Sequence, residues 1–466
     1  MQNKYKRLGK NTLIVFIGNI GSKLISFIML PFYTRWLSVE DYGVMDLVNS
    51  YATLFLGIVS CSIVESVFIF PKNANRDDQS KYFTTALYFC AIMIAASGVL
   101  FCFLNDPSGG NTLRCHSIAI WGILSSSLLQ SVTQQFARSI DKMFIFGTTG
   151  IVQALSVFCL SVYFIPSHGL NGYILSIIFA NIVTAFFALL LSKGYQYFRF
   201  GAWSGAKLKE MLKYSIPLIP NAIMFWVIGT LNRPLMETYC GLHTLGLYAI
   251  AMKIASIVSV ASSIFFSSWQ ISVLEEFGKK TYSDFYNKVM NFIYVGMILL
   301  FFIVSIISPI LLKLLTTPDF YEANRYVPLL ILGTLLSAFA SCVAANFSAA
   351  KASKYFLYSS LLSAMFAIIL NFILIPQLGI MGALIAYVCS FIVMVVSRIY
   401  YSWKYVRIRK IKLYVILFCI ASLYCVCSYI HYNDSLPLIF AITMSMTLGV
   451  FILFQIRKWW LSKKQI

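Results

Sequence analysis

Apolar stretches long enough to cross a bilayer recur along the whole chain, separated by short segments that hold most of the charged residues. Runs of about 18 or more apolar residues with few charges read as transmembrane helices. On that rule the sequence predicts fourteen spans, at 11–34, 45–70, 83–104, 116–138, 144–165, 170–192, 213–236, 246–273, 289–312, 326–349, 356–375, 380–402, 412–430 and 437–456. The expected fold class is an all-α polytopic membrane protein.

Composition agrees with the pattern: 59% of the 466 residues are hydrophobic and 11% charged, against about 25% charged in an ordinary soluble domain. A water-soluble globule is excluded. The net charge of +20 would suggest nucleic acid if it were clustered on a soluble surface. It is instead distributed by loop. With the N-terminus placed in the cytoplasm, alternate segments on that side hold 29 of the 36 Lys and Arg residues. The outer loops hold four (Arg35, Arg114, Lys313, Arg325), and three (Lys23, Arg233, Lys253) lie within spans. That asymmetry is the positive-inside signal, and it places both termini and the basic connector Arg398 to Lys412 in the cytoplasm. The basic loops then read as contacts to anionic membrane lipids, with no nucleic-acid partner. The basic start, Lys4 to Lys10, imitates a signal peptide, but no small-residue cleavage site follows, so a retained first helix is expected. The 11 cysteines form no CxxC pair, and there is no Walker A loop, nucleophile elbow or HExxH. No metal, cofactor or enzymatic activity is expected.

An internal repeat organises the spans. Ile165-Pro166-Ser167-His168-Gly169-Leu170-Asn171-Gly172 recurs as Ile375-Pro376-Gln377-Leu378-Gly379-Ile380-Met381-Gly382, an IPxxGxxG motif between spans five and six and again between eleven and twelve. Lys10 and Gly43 have the same spacing as Lys213 and Gly246. The expected organisation is two pseudo-symmetric six-helix lobes, 1–200 and 201–402, followed by an additional helix pair and basic tail, 403–466. Six is even, so both copies enter from the same side as parallel repeats, an architecture of transporters.

At these residues the chain resembles the Wzx-type oligosaccharide flippases of the multidrug/oligosaccharidyl-lipid/polysaccharide exporter superfamily. The likeness runs through Lys10-Asn11-Thr12-Leu13, Leu30-Pro31-Phe32-Tyr33-Thr34-Arg35-Trp36-Leu37 and Asp41-Tyr42-Gly43. It continues through Ser215-Ile216-Pro217-Leu218-Ile219-Pro220-Asn221, Gly246 to Ala255 and the two IPxxGxxG turns, covering roughly residues 1–400. The resemblance implies a multi-pass protein of the bacterial inner membrane that turns over undecaprenyl-diphosphate-linked sugar repeat units for O-antigen or capsule assembly. It also implies a polysaccharide polymerase and a chain-length regulator as partners. The chain departs from many relatives in one place: an Asp-Arg pair late in span seven is here Asn232-Arg233.

Charges inside spans are costly and usually face a bundle interior or a watery cavity. Lys23 lies about 18 Å along its span from Asn11 at ~1.5 Å per residue, too deep for easy snorkelling, and reads either as a cavity cation for the diphosphate or as half of a structural pair, unless the span boundary is misplaced. Lys253 could serve the same purpose or snorkel to the interface. Arg233, before Pro234 near the outer end of span seven, reads either as a third substrate-binding cation or as an interfacial anchor. Glu65, within Cys61 to Phe70, is the acid deepest in an apolar run, and reads as a proton-exchanging coupling group, as a partner for a cation such as Lys23, or as a carboxylate reaching the cytoplasmic edge. Pro31, Pro217 and Pro220 interrupt spans one and seven and are candidate hinges. A lipid II flippase shares the cargo chemistry and is the alternative reading. A drug or metabolite antiporter would call for an acid-dominated interior.

Overall fold

The computed structural model describes residues 21–350, 352, 354–431 and 436–464, and every regular element among them is helical. The first half of the expected span 11–34, with the Lys10-to-Asn19 stretch, lies outside the described residues. From 45–70 onward each expected span is occupied by helix. Among the described residues nine helices are long and apolar enough to cross a membrane, and the chain is an all-α polytopic membrane protein.

By its internal packing the chain divides into two compact units, Met1–Trp226 and Val227–Ile466. In the first, residues 21–28 are helical and lead into α1 (Leu30–Trp36), with Pro31 in the first turn, where its missing N–H costs nothing. A capping box starts α2 (Val39–Val59): the Ser38 hydroxyl accepts from the Asp41 amide at 3.0 Å and the Asp41 carboxylate accepts from the Ser38 amide at 3.2 Å. Cys61 and Ser62 take left-handed φ values of 47° and 51°, which breaks the span before α3 (Ile63–Ile69). After α4 (Arg76–Leu104) and α5 (Ser117–Ser139) comes α6 (Met143–Leu191). A straight helix of 49 residues would be about 74 Å long, more than twice a ~30 Å hydrocarbon core. It therefore turns back, at Gly169 (φ 53°, ψ −130°). α7 (Gly205–Ser215) and α8 (Ile219–Thr230) follow.

Aromatic and aliphatic side chains from α3, α4, α5 and α7 form the core of this unit. Phe83 stacks on Phe136 at 4.0 Å, and the Ser66 hydroxyl donates to the Met211 carbonyl. Amide side chains tie α5 to both halves of α6, where hydrocarbon surroundings offer them no other partner. Gln130 donates to Gln153 at 2.8 Å, and Gln134 to the Thr149 hydroxyl at 2.6 Å.

The second unit holds α9 (Asn232–Glu276), which is interrupted at Gly241 (φ 80°, ψ 167°), α10 (Tyr282–Leu315) and α11 (Val327–Ala349). Next comes a hairpin of α12 (Lys354–Leu378) and α13 (Ile380–Ser402), and then α14 (Ile411–Ile430) and α15 (Leu436–Lys464). The Trp269 indole donates to the Cys342 carbonyl, joining α9 to α11, and the Tyr294 hydroxyl donates to the Tyr414 carbonyl, holding α14 against α10. Gly379 (φ 57°, ψ −133°) turns the α12–α13 hairpin with the backbone conformation of Gly169.

The repeated motif is explained by this turn. The first glycine of each copy occupies a conformation that L side chains rarely adopt. The second is needed for close approach: a Cβ on Gly172 would lie 2.3 Å from the Phe164 carbonyl oxygen, and one on Gly382 would lie 2.1 Å from that of Leu374.

Candidate functional site

In the first unit, Lys23 is exposed on the helical segment 21–28. Two residues before it, Gly21 packs against Ile151 of α6, and in α1 the Tyr33 hydroxyl meets that of Ser161 at 3.4 Å. Glu65 is also exposed. In the short helix α3 the residues beside it, Ser66 and Val67, and Ile63 before it, are the buried ones. The break at Cys61 and Ser62 sets this orientation, so a position inside an apolar run does not enclose the carboxylate. Pro217 lies in a 3-10 turn, Ile216–Leu218, between α7 and α8, and Pro220 is in the first turn of α8. The helix tightens from α to 3-10 at this point and continues, with helical dihedrals at Ile216 and Ile219.

In the second unit, Arg233 is only 9% exposed, which corrects the reading of it as an interfacial anchor. The physical cause is local. The Arg233 Nη1 reaches back across the turn at Leu231 and donates to the Gly229 carbonyl at 2.8 Å, one of the last carbonyls of α8. Its guanidinium lies 5.5 Å from the centre of the fully buried Tyr248 ring, and Asn232 donates to the Tyr248 hydroxyl at 2.6 Å. The Asn232 side-chain oxygen is buried without a partner. Lys253, on the second half of α9, is half-buried. The structure thus puts Arg233 and Lys253 on either side of the Gly241 interruption, and Lys23 and Glu65 on separate helices of the first unit.

Two residues of charged type were not singled out by sequence reasoning. Asp46 shares one face of α2 with Tyr42 and Asn49, at i−4 and i+3, and lies within electrostatic reach of the buried Tyr42 and Tyr173. Asn49 donates to the Tyr173 hydroxyl at 2.9 Å, and Tyr173 packs edge-on to Tyr33 at 5.4 Å. The i, i+4, i+7 spacing of Tyr42, Asp46 and Asn49 was the available signal. Arg398, read from sequence as the start of the connector, is buried inside α13 at 2% exposure. Among the described residues no three His, Cys, Asp or Glu side chains are grouped as a metal ion would need.

Known proteins share this architecture. The model of the polysaccharide biosynthesis protein family matches residues 8–270, and that of the MatE family matches residues 217–373. A Lsg-locus protein of Haemophilus influenzae is 26% identical over 269 residues, 54% of this chain and 62% of its own length; a membrane protein of the same organism is 24% identical over 266 residues, 54% of this chain and 61% of that one. The matched regions therefore span less than two thirds of these relatives. Among solved structures, the lipid II flippase MurJ in an inward-closed conformation aligns over 95% of this chain and 99% of its own, with a TM-score of 0.68 and 14% identity. An inward-facing multidrug-resistance MATE transporter aligns over 85% of this chain and 98% of its own, with a TM-score of 0.61 and 12% identity. The fold is that of the multidrug/oligosaccharidyl-lipid/polysaccharide exporter superfamily. Within it, the chain belongs to the polysaccharide biosynthesis protein family.

Proposed function

We propose that the protein is a flippase that moves undecaprenyl-diphosphate-linked oligosaccharide repeat units from the cytoplasmic to the periplasmic leaflet of a bacterial inner membrane by alternating access, for O-antigen or capsular polysaccharide assembly. The family match over residues 8–270 carries this reading. A charged sugar head cannot cross about 30 Å of hydrocarbon unaided, so the protein must supply a polar, cationic path while the prenyl tail stays in lipid. Lys23, Arg233 and Lys253 are the cations that meet the diphosphate, Glu65 is the coupling carboxylate, and Pro31, Pro217 and Pro220 are the hinges. Both termini lie in the cytoplasm, and a polymerase and chain-length regulator receive the product. The membrane potential assists export of the lipid anion by about 2.3 kcal/mol per charge per 100 mV.

A second reading, a lipid II flippase, is favoured by the fold shared with MurJ over nearly the whole chain. Deletion of the gene, followed by identification of the sugar lipid that accumulates, separates the two. A lipid-linked polysaccharide repeat unit is expected. Accumulation of lipid II would favour the second reading, and accumulation of neither would overturn both.

A further inference from the structure

Buried charges are normally paired, because an isolated ion loses its hydration without compensation. Arg398 breaks this rule. It is 2% exposed, one turn before the end of α13. Its Nε donates to the Ser359 hydroxyl at 3.3 Å, and its guanidinium lies 5.6 Å from the Phe356 ring centre. Among the described residues no carboxylate pairs with it, and neither Nη group has a hydrogen-bond acceptor. Ser360, next on the buried face of α12, has a hydroxyl without a partner.

One helical turn before Ser359 on α12, Tyr355 is met by two lysines. Lys404 donates to the Tyr355 hydroxyl at 3.1 Å, and the Lys354 ammonium stands 5.4 Å from the Tyr355 ring centre. Two carboxylates of the second unit are committed elsewhere, Glu276 to Lys279 and Asp284 to Arg409. Tyr358, Tyr400 and Trp403, at the same end of the hairpin, are exposed. Exposed aromatic side chains beside basic residues mark the headgroup level of a membrane.

We infer that Arg398, with Ser359, Lys354 and Lys404, forms a binding site for the phosphate of an anionic lipid headgroup at the basic end of the α12–α13 hairpin. The unused Nη donors supply charge-assisted hydrogen bonds to phosphate oxygens, and the two lysines, both exposed, neutralise the remaining charge from the solvent side. Bound phosphate would give Arg398 the counter-charge that the chain itself does not provide. This site is separate from the residues assigned to cargo.

The test uses the full chain purified in neutral detergent, with binding and thermal stability as readouts, so it is independent of transport. Phosphatidylglycerol, phosphatidylcholine and inorganic phosphate are added separately. Wild type should bind phosphatidylglycerol in preference to phosphatidylcholine and be stabilised by it. Arg398→Met should weaken that binding about tenfold or more, the scale of a lost charge-assisted hydrogen bond. In lipid-free detergent the same variant should be at least as stable as wild type, because it removes an uncompensated buried charge. Should Arg398→Met fail to fold, Lys404→Gln with Ser359→Ala reports the same weakening. A response to inorganic phosphate equal to that with phosphatidylglycerol would overturn the lipid source. No preference between the two lipids, or unchanged binding by the variants, would overturn the site.

Discussion

Asn181 accepts a hydrogen bond from Gln153 at 2.9 Å and donates to Ser126 and Ser127 at 3.1 and 2.9 Å, so one amide fastens α5 to both halves of α6. Replacing it with leucine strands the Gln153 donor in an apolar setting. Asn181→Leu should lower unfolding stability in detergent by on the order of 1–2 kcal/mol. An unfolding midpoint equal to that of the parent would show that the amide network contributes little.

The glycines of the repeated turns should fail for different reasons. Gly172→Ala and Gly382→Ala meet backbone oxygens and should each cost several kcal/mol, on the scale of the worst core substitutions. Gly169→Ala meets nothing within 4 Å but keeps a φ of +53° with ψ −130°, a sparsely populated region that should cost about 1–3 kcal/mol. The check is the rank order of their thermal midpoints.

Lys23 and Arg233 differ in what they hold. Lys23 is exposed, so Lys23→Ala should leave protein level and stability unchanged while sharply reducing delivery of surface polysaccharide, and Lys23→Arg should retain part of it. Arg233 is buried against Tyr248 and Gly229, so Arg233→Ala should lose both transport and stability. Normal polysaccharide in Lys23→Ala would remove that residue from the cargo path.

Glu65 is the carboxylate proposed for energy coupling, and Asp46 supplies the comparison. Because Glu65 is exposed, Glu65→Gln should fold normally, slow turnover and leave head-group binding intact. Asp46→Asn disturbs the environment of Tyr42 and Tyr173, so its effect should include stability. Transport into vesicles with the pH gradient and potential imposed separately decides between them: the residue whose neutral variant abolishes the pH-gradient dependence is the coupler.

At the start of α4, ahead of the expected span, the Asp77 carboxyl is held below its usual range, first by the hydrogen bond and charge of Lys81 and then by the charge of Arg199. A depressed folded-state pKa stabilises at pH above the unfolded value, ~3.9 for Asp. That contribution is lost as pH falls through the folded value. Wild type should therefore melt slightly above Asp77→Asn at neutral pH, with the gap closing under strong acid and shrinking in high salt. A gap that persists in acid would point to another cause.

Hydropathy made the spans and their turns legible because burial in lipid is a property of whole helices. The IPxxGxxG spacing disclosed the two hairpins because the backbone there requires glycine at both positions. Orientation about each helix axis was not legible. In a soluble protein the polar face announces itself, whereas here lipid-facing and packed faces are both apolar, so no stripe shows which way a lone charge points. Hence Arg233 and Arg398, beside span ends in the sequence, prove buried, and Glu65, deep in an apolar run, proves exposed. Asp46 escaped notice because an acid at the beginning of a span looks like an ordinary end residue.

The matching turns at Gly169 and Gly379 mean that the molecule carries its own reference standard. Each position in one hairpin has a counterpart 210 positions away on a like backbone, under the same expression, membrane and lipid. Paired substitutions at counterpart sites can thus separate what the shared scaffold demands, where both copies suffer alike, from what each half has specialised to do, where only one does.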